Sequence, residues 1–340
     1  MGSSHGTNRI IRLPYYEDPA YVPLLRRAYA LWREIEEVSG RSLLRLHGSL
    51  DGGPEDGVVF QGALHSARLH DLPHEVLTGS EVNERFPGYR LPAAHRMLFQ
   101  PEGGYVMSEQ AITAHVAAAQ AEGAEIHARE PVLGWEANPG GEGVTVTTDR
   151  GRYEAARLVL AAGAWMQDLV PVLRGRAVPE RQVLAWLHPL SPPLFEPERF
   201  PVFNLEVEEG RYYGFPVVEV PGFKFGRYHH REEHMPAEVM RRDVDTEDET
   251  LLRVFAERYF PEGNGPTMAL RACMFTNTPD EHFVLDRHPD HPQVVIASPC
   301  SGHGYKFCSV VGEIVADLAT GDGTTAHEIG FLRLARLLAA

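Results

Sequence analysis

The chain has 340 residues, more than one ordinary domain of about 100–200 residues, and its 43% apolar and 23% charged content is that of a globular protein. Asp plus Glu (47) outnumber Lys plus Arg (32), and the net charge of −15 repels phosphate backbones, which argues against nucleic-acid binding. No apolar run approaches the ~20 residues of a bilayer-spanning helix, no secretory leader pattern opens the chain, and three cysteines without framework spacing point to a reducing cytoplasm.

The first helix is expected from Asp18-Pro19, an N-cap residue followed by proline. Val22, Leu25, Leu31, Trp32 and Ile35 recur along it at helical spacing, and Ser39-Gly40 close it. A strand follows around Ser42 to Leu46, then a turn-rich stretch from Asp51 to Pro54, and a second helix from Ser80 that stops before Pro87. Ser108 caps a helix carrying Ala111, Ile112, Val116 and Ala119; Gly123 ends it and a short strand is expected next. Val144-Thr-Val-Thr-Thr alternates with period 2 and Asp149-Arg-Gly reads as a hairpin turn, so a β-meander is predicted there. It leads to Arg157-Leu-Val-Leu-Ala-Ala-Gly163, the pattern of a buried parallel strand feeding a loop. From Arg181 to about Arg241 the text is β-rich, with Tyr212 to Phe215 and Phe223 to Gly226 as strand candidates. Glu247 to Tyr259 is helical, and the chain ends with a strand at Val294 to Ala297, a loop at Ser301 to Gly304 and a helix from Ser309 to Ala319.

Several motifs carry chemistry, each with a plainer reading beside it. Ser301-Gly-His-Gly-Tyr-Lys-Phe307 joins an apolar strand to a helix, and its glycines allow close backbone approach to a ligand at the positive helix end. A tight turn is the plainer reading, since Phe307 stands where a third fingerprint glycine would. Arg9 and Arg12 would share a face if helical and could clamp a carboxylate; two arginines more often form a solvated patch. Lys224 alternates with Phe223 and Phe225 and so faces away from them, normally into solvent, but desolvated beside a cofactor it could act as a cation. Cys273 reads as a buried apolar cysteine. His229, His230 and His234 invite a zinc site, which lacks both HExxH and CxxC support, so no metal is expected.

Taken in order, Gly2-Ser-Ser-His-Gly6, Arg9-Ile-Ile-Arg12, Tyr212-Tyr-Gly-Phe-Pro216, Lys224, Cys273-Met-Phe-Thr276, Asp280-Glu-His-Phe283 and the 301–307 loop resemble the monomeric sarcosine oxidase and N-methyltryptophan oxidase family. These are FAD-dependent amine oxidases of the D-amino-acid-oxidase-like superfamily, and the resemblance runs almost the whole length. It implies an α/β plus α+β fold, discontinuous in sequence. An FAD-binding, Rossmann-like (glutathione-reductase-type) domain would take 1–45, 105–180 and 281–340, and an antiparallel-sheet substrate-binding domain 46–104 and 181–280. It also implies roles. Cys273 would carry FAD covalently, with Gly302, Gly304, Val132 and Gly163 as further cofactor-binding positions. Arg12 and Lys306 would hold the substrate carboxylate, Arg9 would lie beside the flavin, Lys224 would activate oxygen, and Tyr213 and His303 would line the substrate pocket. The implied reaction is oxidation of a secondary amino acid of the sarcosine or N-methyl type to an imine, with O₂ reduced to H₂O₂, by a cytoplasmic monomer.

Two local departures bear on the substrate. Phe275 replaces a tyrosine of the sarcosine enzymes, and either Tyr228 or His229 falls at the family's active-site histidine. A larger one lies at the start. The family places a βαβ unit with GxGxxG, about 30 residues or more, ahead of the Gly-Ser-His segment, and here Met1 precedes that segment directly. Weak or absent flavin binding is therefore expected of these 340 residues, whether the sequence is truncated, another chain supplies the unit, or the chain is a remnant that binds a small carboxylate or a partner.

Overall fold

A computed structural model describes residues 2–139 and 142–338; Met1 and Ala340, the outer limits of the expected domain division, lie outside the described residues. Among the described residues the strands form four sheets. The largest has eight strands in the order Thr267–Asn277, Val178–Leu187, Phe223–Arg227, Gly210–Phe215, Val202–Val207, Ser49–Gly53, Arg96–Gln100, Glu75–Thr78. All neighbours in it are antiparallel except Val202–Val207 with Ser49–Gly53. One face of this sheet is an aromatic core of Phe203, Phe223, Phe225, Phe255 and Phe260, closed by the helix Thr246–Tyr259.

A second core joins the helix Tyr21–Ser39 to the helix Cys308–Thr320 and the helix Val58–Leu69 around Trp32, Tyr21, Phe307 and Ile314. Beside it Leu158–Leu160 pairs in parallel with Val294–Ser298, which pairs antiparallel with Val284–Arg287. Asn8–Ile11, Gly104–Met107 and Leu44–Leu46 form a small antiparallel sheet, and the expected meander is Val132–Ala137, Val144–Thr148 and Arg152–Ala155.

The structure shifts several expected elements. The first helix begins at Tyr21, because the Asp18 carboxylate accepts the Ala20 N–H (2.7 Å) and forms a turn ahead of the helix. Asp51 to Gly53 is a buried strand, not a turn. Its glycines serve close strand packing, since a Cβ on Gly52 or Gly53 would meet a carbonyl oxygen at 2.1 or 2.3 Å. The short strand expected directly after Gly123 is not formed; the next strand starts at Val132. The apolar run after Arg157 is parallel as expected, but its strand stops at Leu160 and lies at a sheet edge with Val159 40% exposed. Arg9 and Arg12 belong to or directly follow a strand, so their odd spacing sends them to opposite sides.

Candidate active site

Residues opposite one another across a sheet share a face, and the register of the large sheet gathers the candidates. Cys273 stands opposite Gln182, Lys224 opposite both Trp186 and Phe215, and Gly226 opposite both Leu184 and Tyr213. Since Gln182, Leu184 and Trp186 alternate along one strand, Cys273, Leu184, Lys224, Tyr213 and Phe215 all face away from the aromatic core. They form one wall of a cleft of about 970 Å³. Burial there is strong: Lys224 is 3% and Cys273 5% exposed.

Lys224 is not the solvent-facing lysine that alternation alone predicts. Its ammonium donates to the main-chain carbonyl and the side-chain oxygen of Asn8, both at 2.9 Å, and sits 4.3 Å from the Phe215 ring centre. No carboxylate among the described residues pairs with it. Burial, reinforced by Arg9, holds it well below the ordinary lysine range. The Cys273 thiol has only a weak contact with the Met274 carbonyl, at 3.9 Å.

The 301–307 loop, which precedes the helix Cys308–Thr320 and is tied to the Cys273 strand by the Ser301 N–H to the Thr276 carbonyl (2.8 Å), supplies further lining. Gly302, His303, Gly304 and Lys306 line the cleft, but the two glycines are small for a reason other than ligand approach. A Cβ on Gly302 would lie 2.6 Å from the Phe275 ring, and one on Gly304 1.6 Å from the Pro299 carbonyl oxygen. Gly163, also in the lining, has φ +54°, and a Cβ there would meet nothing within 4 Å. Lys306 donates to the His303 carbonyl (2.9 Å); burial and the nearby Arg12 push it down to about 7. Burial likewise pushes His303 down to about 4, so its ring is neutral.

Arg9 lines the cleft, held by the carbonyls of Ser3 and Asn8 (both 2.9 Å) and of His5. Arg12 does not line it. Its guanidinium donates to both Glu17 oxygens (2.9 and 3.1 Å) and the Pro14 carbonyl (2.9 Å), and Nε lies 3.1 Å from Asp51. Of the expected carboxylate-binding pair, Lys306 alone reaches the cavity. Val132 is 44% exposed on the meander, away from the cavity lining. Tyr228 lines the cleft between Tyr213 (5.1 Å) and Phe275 (5.8 Å). His229 turns away at φ 51° to Glu180 (2.8 Å) and Glu281 (2.9 Å). His230 goes to Asp248 (3.0 Å), and His234 pairs with Glu180 through the main chain. Asn8, Tyr15 and Glu17, all next to cleft residues, have no local sequence signal, because each acts through a partner distant in the chain or on another face.

The chain matches the DAO family, FAD dependent oxidoreductase, over residues 1–318. It is 42% identical over 346 residues to monomeric sarcosine oxidase of Streptomyces avermitilis, covering 100% of this chain and 88% of that protein. It is 34% identical over 337 residues to N-methyl-L-tryptophan oxidase of Yersinia pestis, covering 98% and 89%. Among solved structures, NikD, described as an unusual amino acid oxidase essential for nikkomycin biosynthesis, aligns with TM-score 0.83 at 25% identity, covering 98% of this chain and 87% of that one. No helix among the described residues is long and apolar enough to cross a membrane.

Proposed function

The chain belongs to the FAD-dependent oxidoreductase family, and from that premise we propose that it oxidises the secondary amine of an N-methyl or cyclic amino acid, passing the electrons to O₂. For an N-methyl amino acid the overall change is amine plus O₂ plus water to formaldehyde, primary amine and H₂O₂; for a cyclic one it is amine plus O₂ to cyclic imine and H₂O₂. Bound FAD supplies the two-electron acceptor. The observation that carries this reading is that Lys224, Cys273 and Tyr213 of the sheet and His303 and Lys306 of the loop line one cleft.

The residues fit the cofactor. Gly163 opens onto the cavity with nothing in the place of its Cβ, and Cys273 presents an essentially unpartnered thiol, the position at which we place covalent attachment. Lys306 is the cation to which we assign the substrate carboxylate, because Arg12 is already neutralised by Glu17 and Asp51. A carboxylate fixed there orients the amine end of the substrate toward the sheet wall, where Tyr213, Tyr228 and Phe275 supply aromatic sides. Lys224 stabilises negative charge as it develops on oxygen; removing one such positioned donor commonly costs roughly 2.7–4 kcal/mol. Arg9 adds positive charge beside it. The unpaired cysteines, at 273, 300 and 308, fit the reducing cytoplasm in which we place the protein.

The test is to assay purified protein for peroxide with sarcosine, N-methyltryptophan, pipecolate and proline, and to precipitate it in acid. The match to an FAD-dependent family over residues 1–318 replaces the weak or absent flavin binding read from the sequence alone, so peroxide with at least one of these and a yellow pellet are expected. A flavin-bearing protein that produces none with any of them overturns the reading.

A further inference from the structure

We infer that Tyr15 is a positioning residue for the carboxylate end of the cleft, its hydroxyl tying Lys306 to His303. This rests on the proposed role of Lys306 and adds the group that supports the charge of that lysine and occupies the free ring nitrogen of its neighbour. Tyr15 does not line the cleft. It is fully buried, its ring packed against Tyr21 (5.1 Å) and Phe307 (5.3 Å), with the Arg12 guanidinium 4.5 Å from its centre.

The hydrogen-bond directions follow from the chemistry of the partners. His303 Nε2 lies 2.9 Å from the Glu281 carbonyl, which can only accept, so Nε2 carries the proton and Nδ1 presents a lone pair. The Tyr15 hydroxyl, 2.6 Å from Nδ1, therefore donates to it. Its oxygen is left to accept from Lys306 Nζ at 3.4 Å, and Lys306 donates a second bond to the His303 carbonyl at 2.9 Å. One hydroxyl thus favours the neutral imidazole and the charged lysine together.

The surrounding charges are mixed. Arg12 disfavours a proton on either group, Glu17 favours it on both, and Asp51 favours it on Lys306; the Glu281 carboxylate faces His229 and Arg211. Burial lowers both groups, Lys306 to about 7. Without the hydroxyl, His303 would take a proton more readily and Lys306 would release its own more readily. A substrate carboxylate would then meet an uncharged amine at a lower pH.

Tyr15→Phe tests this, since it keeps the ring and removes only the oxygen. In the wild-type protein, ring-nitrogen NMR of ¹⁵N-labelled His303 is expected to show the Nε2–H tautomer at neutral pH. The KM for an N-methyl amino acid should start to rise near pH 7. In Tyr15→Phe, KM at pH 8 should increase on the order of tenfold, the effect of one lost bond to a charged group, with kcat changed far less. The rise of KM with pH should also begin lower. An Nδ1–H tautomer in the wild type, or a variant with the wild-type KM–pH profile, overturns the assignment. The His303 imidazole signals should also report protonation at a higher pH in Tyr15→Phe than in the wild type; an unchanged titration overturns the assignment whether or not an N-methyl amino acid turns over, so failure of the substrate reading is a separate result.

Discussion

A buried ammonium without a carboxylate partner is costly, and Lys224 is held by two neutral oxygens of one residue, Asn8. Such an arrangement suits reactivity better than stability, which gives a two-sided prediction. Lys224→Met should slow reoxidation by O₂ on the order of 10²–10³-fold, the range seen when one positioned donor is removed, with flavin reduction much less affected. The melting temperature should hold or rise. Stopped-flow reduction and reoxidation together with a thermal melt check this, and equal losses in both half-reactions would sink the assigned role. At this scale, alternation alone was enough to put Lys224 on the face opposite Phe223 and Phe225. Its burial could not be read, because the walls that enclose it, Phe215, Trp186 and Asn8, come from three other strands or their ends. Arg12 shows the converse: its motif is plain in the text, yet its guanidinium is engaged by Glu17, five residues on, and by Asp51 on a remote strand.

Elements whose signals are local came out close to their expected bounds. The helix Thr246–Tyr259 has Asp245 and Asp248 in a reciprocal capping box and Leu252, Phe255 and Tyr259 on its buried face. Asp51 to Pro54 reads as turn-rich because Gly-Gly-Pro is locally a turn signal; the strand Ser49–Gly53 that takes in Asp51 to Gly53 pairs with Val202–Val207, far along the chain. Asp248 also shows how an element is anchored. It is fully buried, capping its own helix, while pairing with Arg181 at 2.7 Å and His230 at 3.0 Å. Removing it leaves the buried Arg181 guanidinium with Glu233 (3.0 Å) as its carboxylate partner and takes away the reciprocal cap of the helix. Asp248→Ala should therefore lose about 3–5 kcal/mol in urea unfolding, and a loss below 1 kcal/mol would contradict the anchoring role.

Across the whole molecule, the mixed α/β and β-rich text foretold the fold class, while the joining of distant segments is visible only in three dimensions. His229 is one such joint, linking Glu180 on a central strand to Glu281 beside the His303 loop. Bonds to these two carboxylates raise it to about 9. A folded-state value above the unfolded one stabilises fully below about 6.5 and is lost as pH climbs through about 9. Glu17 supplies the opposite limb: burial raises it, but Arg12 together with His303 and Lys306 lowers it to about 2, so its contribution fades as pH falls from about 4.5. Melting temperature should accordingly plateau between these limbs, and His229→Gln should flatten the alkaline one. An unchanged alkaline limb in that variant would show that the joint contributes nothing.

Phe223 and Phe225 stack at 4.9 Å directly behind Lys224. Reactivity and rigidity are thus the two sides of a partition one peptide thick. A methylene trimmed from the dry side is felt on the wet side as a displaced amine, so repacking of this interior is restrained by turnover as well as by melting.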